Sequence, residues 1–188
     1  MSERPGKAAI LRAAVAVMGE DGYEGASMRD MAARAGVSVA ALYYHFPSKH
    51  DLLREFLDEA YDVTLARIDR RLASAGDGPA ERLDSIVSTL IWSHLHDDFA
   101  QLASNVAMRE YTRLNPPERA AIEVKRKALL DLVEGVVGEM GSADPREAAR
   151  AIITLATSLV EPYVEIGRSL DDVIALYQGF ARALARGS

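Results

Sequence analysis

The chain has 188 residues, no cysteine, 27% charged residues and a formal net charge of −6. Without cysteine it has no disulfide, thiolate metal site or thiol nucleophile, and no apolar run approaches the roughly 20 residues of a membrane-spanning helix. The first residues lack the apolar stretch of a secretion signal, so the expected compartment is the cytoplasm, with no membrane partner. The charge is uneven: residues 1–50 hold six Lys/Arg and five Asp/Glu, whereas residues 51–188 hold sixteen and twenty-three. The acidity therefore belongs to the larger C-terminal part, and any affinity for phosphate must come from local placement of basic side chains and helix N-termini.

Ala, Leu, Val and Ile dominate, Gly and Pro act as punctuation, and no alternating strand pattern persists, which predicts an all-α fold of about nine helices. The first helix carries Ile10, Ala14, Val17 and Met18 on one face. Ser27 is an N-cap with Asp30 at the capping-box position, and Met28, Met31, Ala32 and Ala35 form the buried stripe of the helix it starts. Gly36 ends that helix, Ser38 caps a second over Val39–His45, and Pro47 stops it. Two short helices joined by a glycine turn form a helix-turn-helix, whose second helix lies in the DNA major groove. Residues 1–48 are thus expected to be a three-helix DNA-binding domain, and 49–188 a larger helical effector-binding and dimerisation domain.

Further along, Ser48 caps a helix predicted over 49–73, and Ser74 to Pro79 form a linker. Helices follow over 80–96 and 99–114, then over 118–140 after Asn115-Pro116-Pro117. Pro145 starts one over 146–166, and the last runs over 171–186.

The string Ala35-Gly36-Val37-Ser38, then Leu42-Tyr43-Tyr44-His45-Phe46, then Ser48-Lys49 and Asp51-Leu52-Leu53, closely resembles the signature of the TetR family of transcriptional regulators. The helix before it, ending in Gly22-Tyr23, fits the same pattern, and the resemblance covers about the first quarter of the chain. It implies a DNA-binding regulator, with Tyr43 at the groove edge, Tyr44 and His45 at the DNA backbone, and Lys49 on a phosphate. From the residues themselves, Ser38, Val39, Ala40 and Ala41 open the reading helix and face the groove. Ser27 and Arg29 open the helix before it, where free N–H groups favour phosphate. Val39, Ala40 and Ala41 offer no bidentate donor to a base, so thymine methyl contacts and groove shape would carry most of the reading.

Two such helices read an operator well only in pairs, on a near-palindrome of double-stranded DNA. Between Ala148 and Val160 apolar residues run nearly all round the helix, which predicts burial on two sides and points to a homodimer. The expected interface is Ile152, Ile153, Ala156 and Leu159, with Ile174, Tyr177, Phe180 and Ala181 of the last helix.

TetR-like regulators commonly enclose a small molecule among their middle helices, and its binding alters the spacing of the DNA-reading heads. The positions expected to line such a site are Trp92, His96, Phe99, Leu102, Asn105, Val106, Arg109, Arg126, Leu130, Thr157 and Tyr163, with Asn105 and Arg109 one turn apart as polar anchors. For each apolar member, plain core packing is the competing explanation. The stretch Arg109-Glu110, Arg113-Leu114, Pro116-Pro117 and Arg119 is loosely similar to members that respond to acyl-CoA or fatty-acid-like ligands, which implies an elongated apolar effector with an anionic head. His94-Leu95-His96-Asp97-Asp98 offers metal-type ligands, but histidines two apart on a helix point to different faces, so no metal and no cofactor is expected. The expected function is a ligand-responsive repressor and not an enzyme. The alternatives are a small all-α enzyme using the C-terminal cavity, with His94, His96 or Glu110 as acid or base, or a constitutive DNA-binding regulator with a filled core.

Overall fold

A computed structural model describes residues 5–96, 106, 110–158 and 167–186, apart from the side chains of residues 95, 96 and 158. Helix α1 (Lys7–Gly25) buries Ile10, Leu11, Ala14, Val15, Val17 and Met18 along one face, and Gly22, at φ 72°, breaks its last turn. Helix α2 (Met28–Arg34) starts where Ser27 Oγ accepts the Asp30 N–H at 3.2 Å. It ends where Gly36 adopts φ +67°, so that Gly36 N–H reaches the Ala33 carbonyl at 3.1 Å and Val37 N–H the Ala32 carbonyl at 3.0 Å. Ser38 then caps α3 (Val39–His45) through the Ala41 N–H at 3.1 Å. Leu42 and Phe46 are fully buried and hold the reading helix in place.

Helix α4 (Lys49–Leu72) begins at Ser48, whose hydroxyl accepts the Asp51 N–H at 3.0 Å and donates to its carboxylate at 2.6 Å. Helix α5 spans Pro79–His96, and a short 3₁₀ turn spans Tyr111–Arg113. Helix α6 (Pro116–Glu139) starts on a reciprocal cap: Asn115 Oδ1 accepts the Glu118 N–H at 3.0 Å, and Glu118 Oε2 accepts the Asn115 N–H at 2.9 Å. Helices α7 (Pro145–Ser158) and α8 (Leu170–Arg186) complete eight α-helices among the described residues. None of them is long and apolar enough to cross a membrane. The helix expected over 99–114 lies mostly outside the described residues, which show Val106 and Glu110 as helical and buried.

The chain forms two compact units, one of residues 1–60 with 102–122, the other of 61–101 with 123–188. The division falls inside α4 and inside α6, not at residue 48 as expected. Tertiary packing overrides sequence order here, because the segment before α6 packs with the helix-turn-helix. Arg113 pairs with Glu24 at 2.5 Å, and His50 with Glu118 at 2.8 Å.

In the second unit, α5 packs against α7 and α8, and α8 against α7. Their core includes Leu83, Ile86, Leu90, Ile91, Val133, Val137, Ala149, Ile152, Ala156, Val173, Tyr177 and Ala181. Each large aliphatic side chain buried there contributes about 1.5–3 kcal/mol. A polar clamp fixes α8 on α5: the Arg182 guanidinium forks onto the Asp84 carboxylate at 2.8 and 2.7 Å, and Gln178 donates to Ser88 at 2.9 Å.

This packing revises the expected dimer face. Ile152, Ala156, Tyr177 and Ala181 are each 3% exposed or less inside the chain's own core, so they have no surface left for a partner. The apolar girdle of α7 is covered by α5 and α8 of the same chain. Ile153 and Ile174 are half-buried, Phe180 is 41% exposed with Leu184 one turn on at 36%, and Leu159 lies outside the described residues.

Candidate DNA-binding surface and effector cleft

The reading helix presents Val39, Ala40, Tyr43 and Tyr44 to solvent, with Ala41 and His45 half-buried. Tyr44 is 85% exposed and Tyr43 47%, and neither hydroxyl has a hydrogen-bond partner among the described residues. Both aromatic rings thus stand in solvent on a helix fixed by buried Leu42 and Phe46. The Tyr44 ring meets the His45 ring edge-on at 5.3 Å, which orients both. Arg29 is exposed on α2 and makes no ion pair or hydrogen bond among the described residues, so its guanidinium is available to an anion.

Two other positions are occupied. The hydroxyl of Ser27 is spent within its capping box, accepting from the Asp30 N–H and donating to the Asp30 carboxylate. Lys49, expected on a phosphate, donates to the carbonyls of Tyr23 and Ala26, the latter at 3.1 Å, and lies 4.3 Å from the centroid of the Tyr23 ring. Carbonyls at the end of α1 lack helical partners, and a neighbouring ammonium satisfies them.

Sequence reasoning missed this cluster around Tyr23. The Arg113 guanidinium also lies against that ring, 4.7 Å from its centroid, while pairing with Glu24 and Glu110. Burial raises the Tyr23 hydroxyl above its ordinary value, with the Arg113 charge working the other way. Burial also pushes Glu118 upward, but the Asn115 N–H, the His50 ring and Arg54 outweigh it and hold the carboxyl below the usual range. Thus Arg113, read as part of an effector-responsive segment, is engaged with the DNA-binding unit.

Of the expected effector residues, the structure describes the side chains of Trp92, Val106, Arg126, Leu130 and Thr157. Arg126 is half-exposed and pairs with Glu123 at 2.6 Å, one turn away on its own helix. The Thr157 hydroxyl donates to the Ile153 carbonyl at 2.8 Å. Leu130 packs against the core from outside, and Val106 is buried. Phe99, Leu102, Asn105, Arg109 and Tyr163 lie outside the described residues, as does the side chain of His96. His94 is buried. Trp92 is 43% exposed and lines a cleft of about 250 Å³ with Arg67, Arg70, Arg71, Thr89 and Ser93. Those arginines were not among the expected residues, although their i, i+3, i+4 spacing on α4 is visible in the sequence.

Residues 10–56, which hold the reading helix and its supports, match the family described as "Bacterial regulatory proteins, tetR family". The chain is 39% identical over 89 residues to the HTH-type transcriptional repressor KstR of Mycolicibacterium smegmatis, across 47% of this chain and 43% of that one. The chain therefore matches under half the length of this relative. Among solved structures, a bacterial regulatory protein of the tetR family from Rhodococcus RHA1 superposes with a TM-score of 0.83, at 23% identity over 95% of this chain and 96% of that one. AibR, solved in complex with isovaleryl coenzyme A and operator DNA, superposes with a TM-score of 0.78, at 23% identity over 95% of this chain and 97% of that one. The N-terminal segment of the chain thus carries the helix-turn-helix of the tetR family of bacterial regulatory proteins, and its helical fold is similar to that of solved tetR-family regulators.

Proposed function

We propose that the chain is a ligand-responsive transcriptional repressor that binds a near-palindromic operator as a homodimer and is released by a small, largely apolar effector of the fatty acid or acyl-CoA type. The observation that carries the DNA-binding part is the exposed set Arg29, Tyr43 and Tyr44 on a helix-turn-helix held rigid by Ser27 and Ser38 caps and by buried Leu42 and Phe46. A guanidinium and two phenol hydroxyls without internal partners suit phosphate oxygens, which position a reading helix without specifying sequence. Val39, Ala40 and Tyr43 are then left to read methyl groups and groove shape. Support for repression comes from the likeness to KstR, and support for a coenzyme A thioester from the likeness to AibR. The likeness to transcriptional regulators supports a regulatory role over the enzyme alternative.

Selection of bound sites from random double-stranded DNA tests this reading. The expected outcome is a near-palindromic consensus with half-sites one or more helical turns apart. Recovery of no consensus, with binding that depends only on salt, would leave a non-specific DNA binder and remove the repressor reading.

A further inference from the structure

The cleft between α4 and α5 is built from two matching triads. Arg67, Arg70 and Arg71 are spaced i, i+3, i+4 on α4, and Thr89, Trp92 and Ser93 have the same spacing on α5, so each triad occupies one helical face. Asp69 lies about half a turn away from the arginine face and does not neutralise it. Among the described residues Arg70 and Arg71 form no ion pair, and the Arg70 guanidinium makes one long hydrogen bond, 3.3 Å, to the Ala66 carbonyl of its own helix. Arg67 donates to Ser93 Oγ at 3.2 Å and lies 5.9 Å from the centroid of the Trp92 ring, which fixes one guanidinium against the indole. Thr89 donates its proton to the Ser85 carbonyl at 2.7 Å and so presents only lone pairs to the cleft.

These groups make a specific chemical demand. The adjacent planar guanidiniums of Arg70 and Arg71 match the oxygens of a phosphate, and the half-exposed indole of Trp92 suits stacking of a planar ring. The hydroxyl acceptors of Thr89 and Ser93 suit ring amino or sugar hydroxyl donors. At about 250 Å³ the cleft is smaller than the roughly 300 Å³ at which drug-sized pockets begin, so it fits a head group and not a long acyl chain. We infer that this cleft binds the phosphorylated, base-bearing head of a nucleotide-type ligand, with Arg70 and Arg71 on phosphate and Trp92 against the base. Its regulatory meaning rests on the effector-responsive reading above, whereas the binding itself does not.

Trp92 is the single tryptophan of the chain, so intrinsic fluorescence reports on this cleft alone. The full-length protein without DNA is titrated with adenosine bisphosphate, with coenzyme A and with inorganic pyrophosphate, and operator binding is measured separately. Adenosine bisphosphate and coenzyme A are expected to quench Trp92 saturably, more tightly than pyrophosphate does. The Arg70→Ala/Arg71→Ala variant should weaken both at least tenfold while its circular dichroism and melting stay unchanged. Arg71→Ala alone should show a smaller loss and serves as the second variant if the double one fails to fold. Nucleotide binding by a protein that selects no operator would support the cleft while sinking the repressor reading. Absence of quenching, pyrophosphate binding as tightly as the nucleotides, or unchanged affinity in a folded arginine variant would each overturn the assignment.

Discussion

At the scale of single residues, Lys49 and Arg29 separate two uses of positive charge. Lys49 joins the end of α1 to the start of α4 through the Tyr23 and Ala26 carbonyls, with its ammonium over the Tyr23 ring. Arg29 has no such partners and stands exposed. Lys49→Ala is therefore expected to destabilise the protein by about 1–2 kcal/mol, the cost of leaving half-buried carbonyls unpaired, and to be read in thermal unfolding without DNA. Arg29→Ala should leave unfolding unchanged and lower the salt slope of DNA binding by about one unit, alike for all sequences, as loss of one phosphate contact requires. A Lys49→Ala protein that melts like wild type would show that its carbonyl contacts contribute nothing. The spacing of Lys49 after the reading helix was plain in the sequence. What was not plain was the return of α1 above it, because a hydrogen bond across 26 positions leaves no local pattern.

Glu118 carries a pH signature at the same scale. Its carboxyl is held below the ordinary glutamate range by the Asn115 N–H, His50 and Arg54, although burial alone would raise it. Because the folded pKa is depressed, its stabilising contribution is complete above the unfolded value and is lost as pH falls through the folded one. Glu118→Gln is thus expected to lower the melting temperature at pH 7, with the difference from wild type shrinking below about pH 4.5. A gap that stayed constant from pH 7 to pH 3 would mean that the ion pairs of Glu118 with His50 and Arg54 add nothing.

At the scale of elements, helix starts were the most legible feature. Ser27, Ser38, Ser48 and Asn115 each cap the helix predicted after them, because a cap is decided by three or four consecutive residues. Partners of helices were less legible. The apolar girdle of α7 signals burial on two sides but not by which chain, and the structure covers it with α5 and α8 of its own. Ile152 and Phe180 therefore part company. Ile152→Asp puts a charge into the protomer core and is expected to cost more than 3 kcal/mol or prevent folding. Phe180→Glu alters an exposed position next to exposed Leu184 and should leave the fold intact. If the apolar ridge of Phe180 and Leu184 carries dimerisation, Phe180→Glu shifts the wild-type dimer to monomer in light scattering at micromolar concentration. A folded Phe180→Glu protein that remains dimeric would move the interface elsewhere.

At the scale of the whole molecule, the chain's acidity and its DNA-binding head belong to different stretches, and their link is thermodynamic. The helix-turn-helix was legible in the sequence because it lies in one continuous segment of capped helices. The cleft proposed for a nucleotide-type ligand is assembled from two helices, so periodicity marked Trp92 but passed over the arginines opposite it. An effector that lowers operator affinity about 100-fold must bind the DNA-free form more tightly by about 2.7 kcal/mol, and reciprocity requires operator to weaken effector binding by the same factor. Calorimetry of acyl-CoA esters with and without saturating operator measures both sides of this cycle. The expected result is an effector dissociation constant raised about 100-fold on the operator complex. Equal affinity in the two states would mean that ligand and DNA bind independently, and a constitutive regulator with an unrelated ligand site would then describe the molecule better.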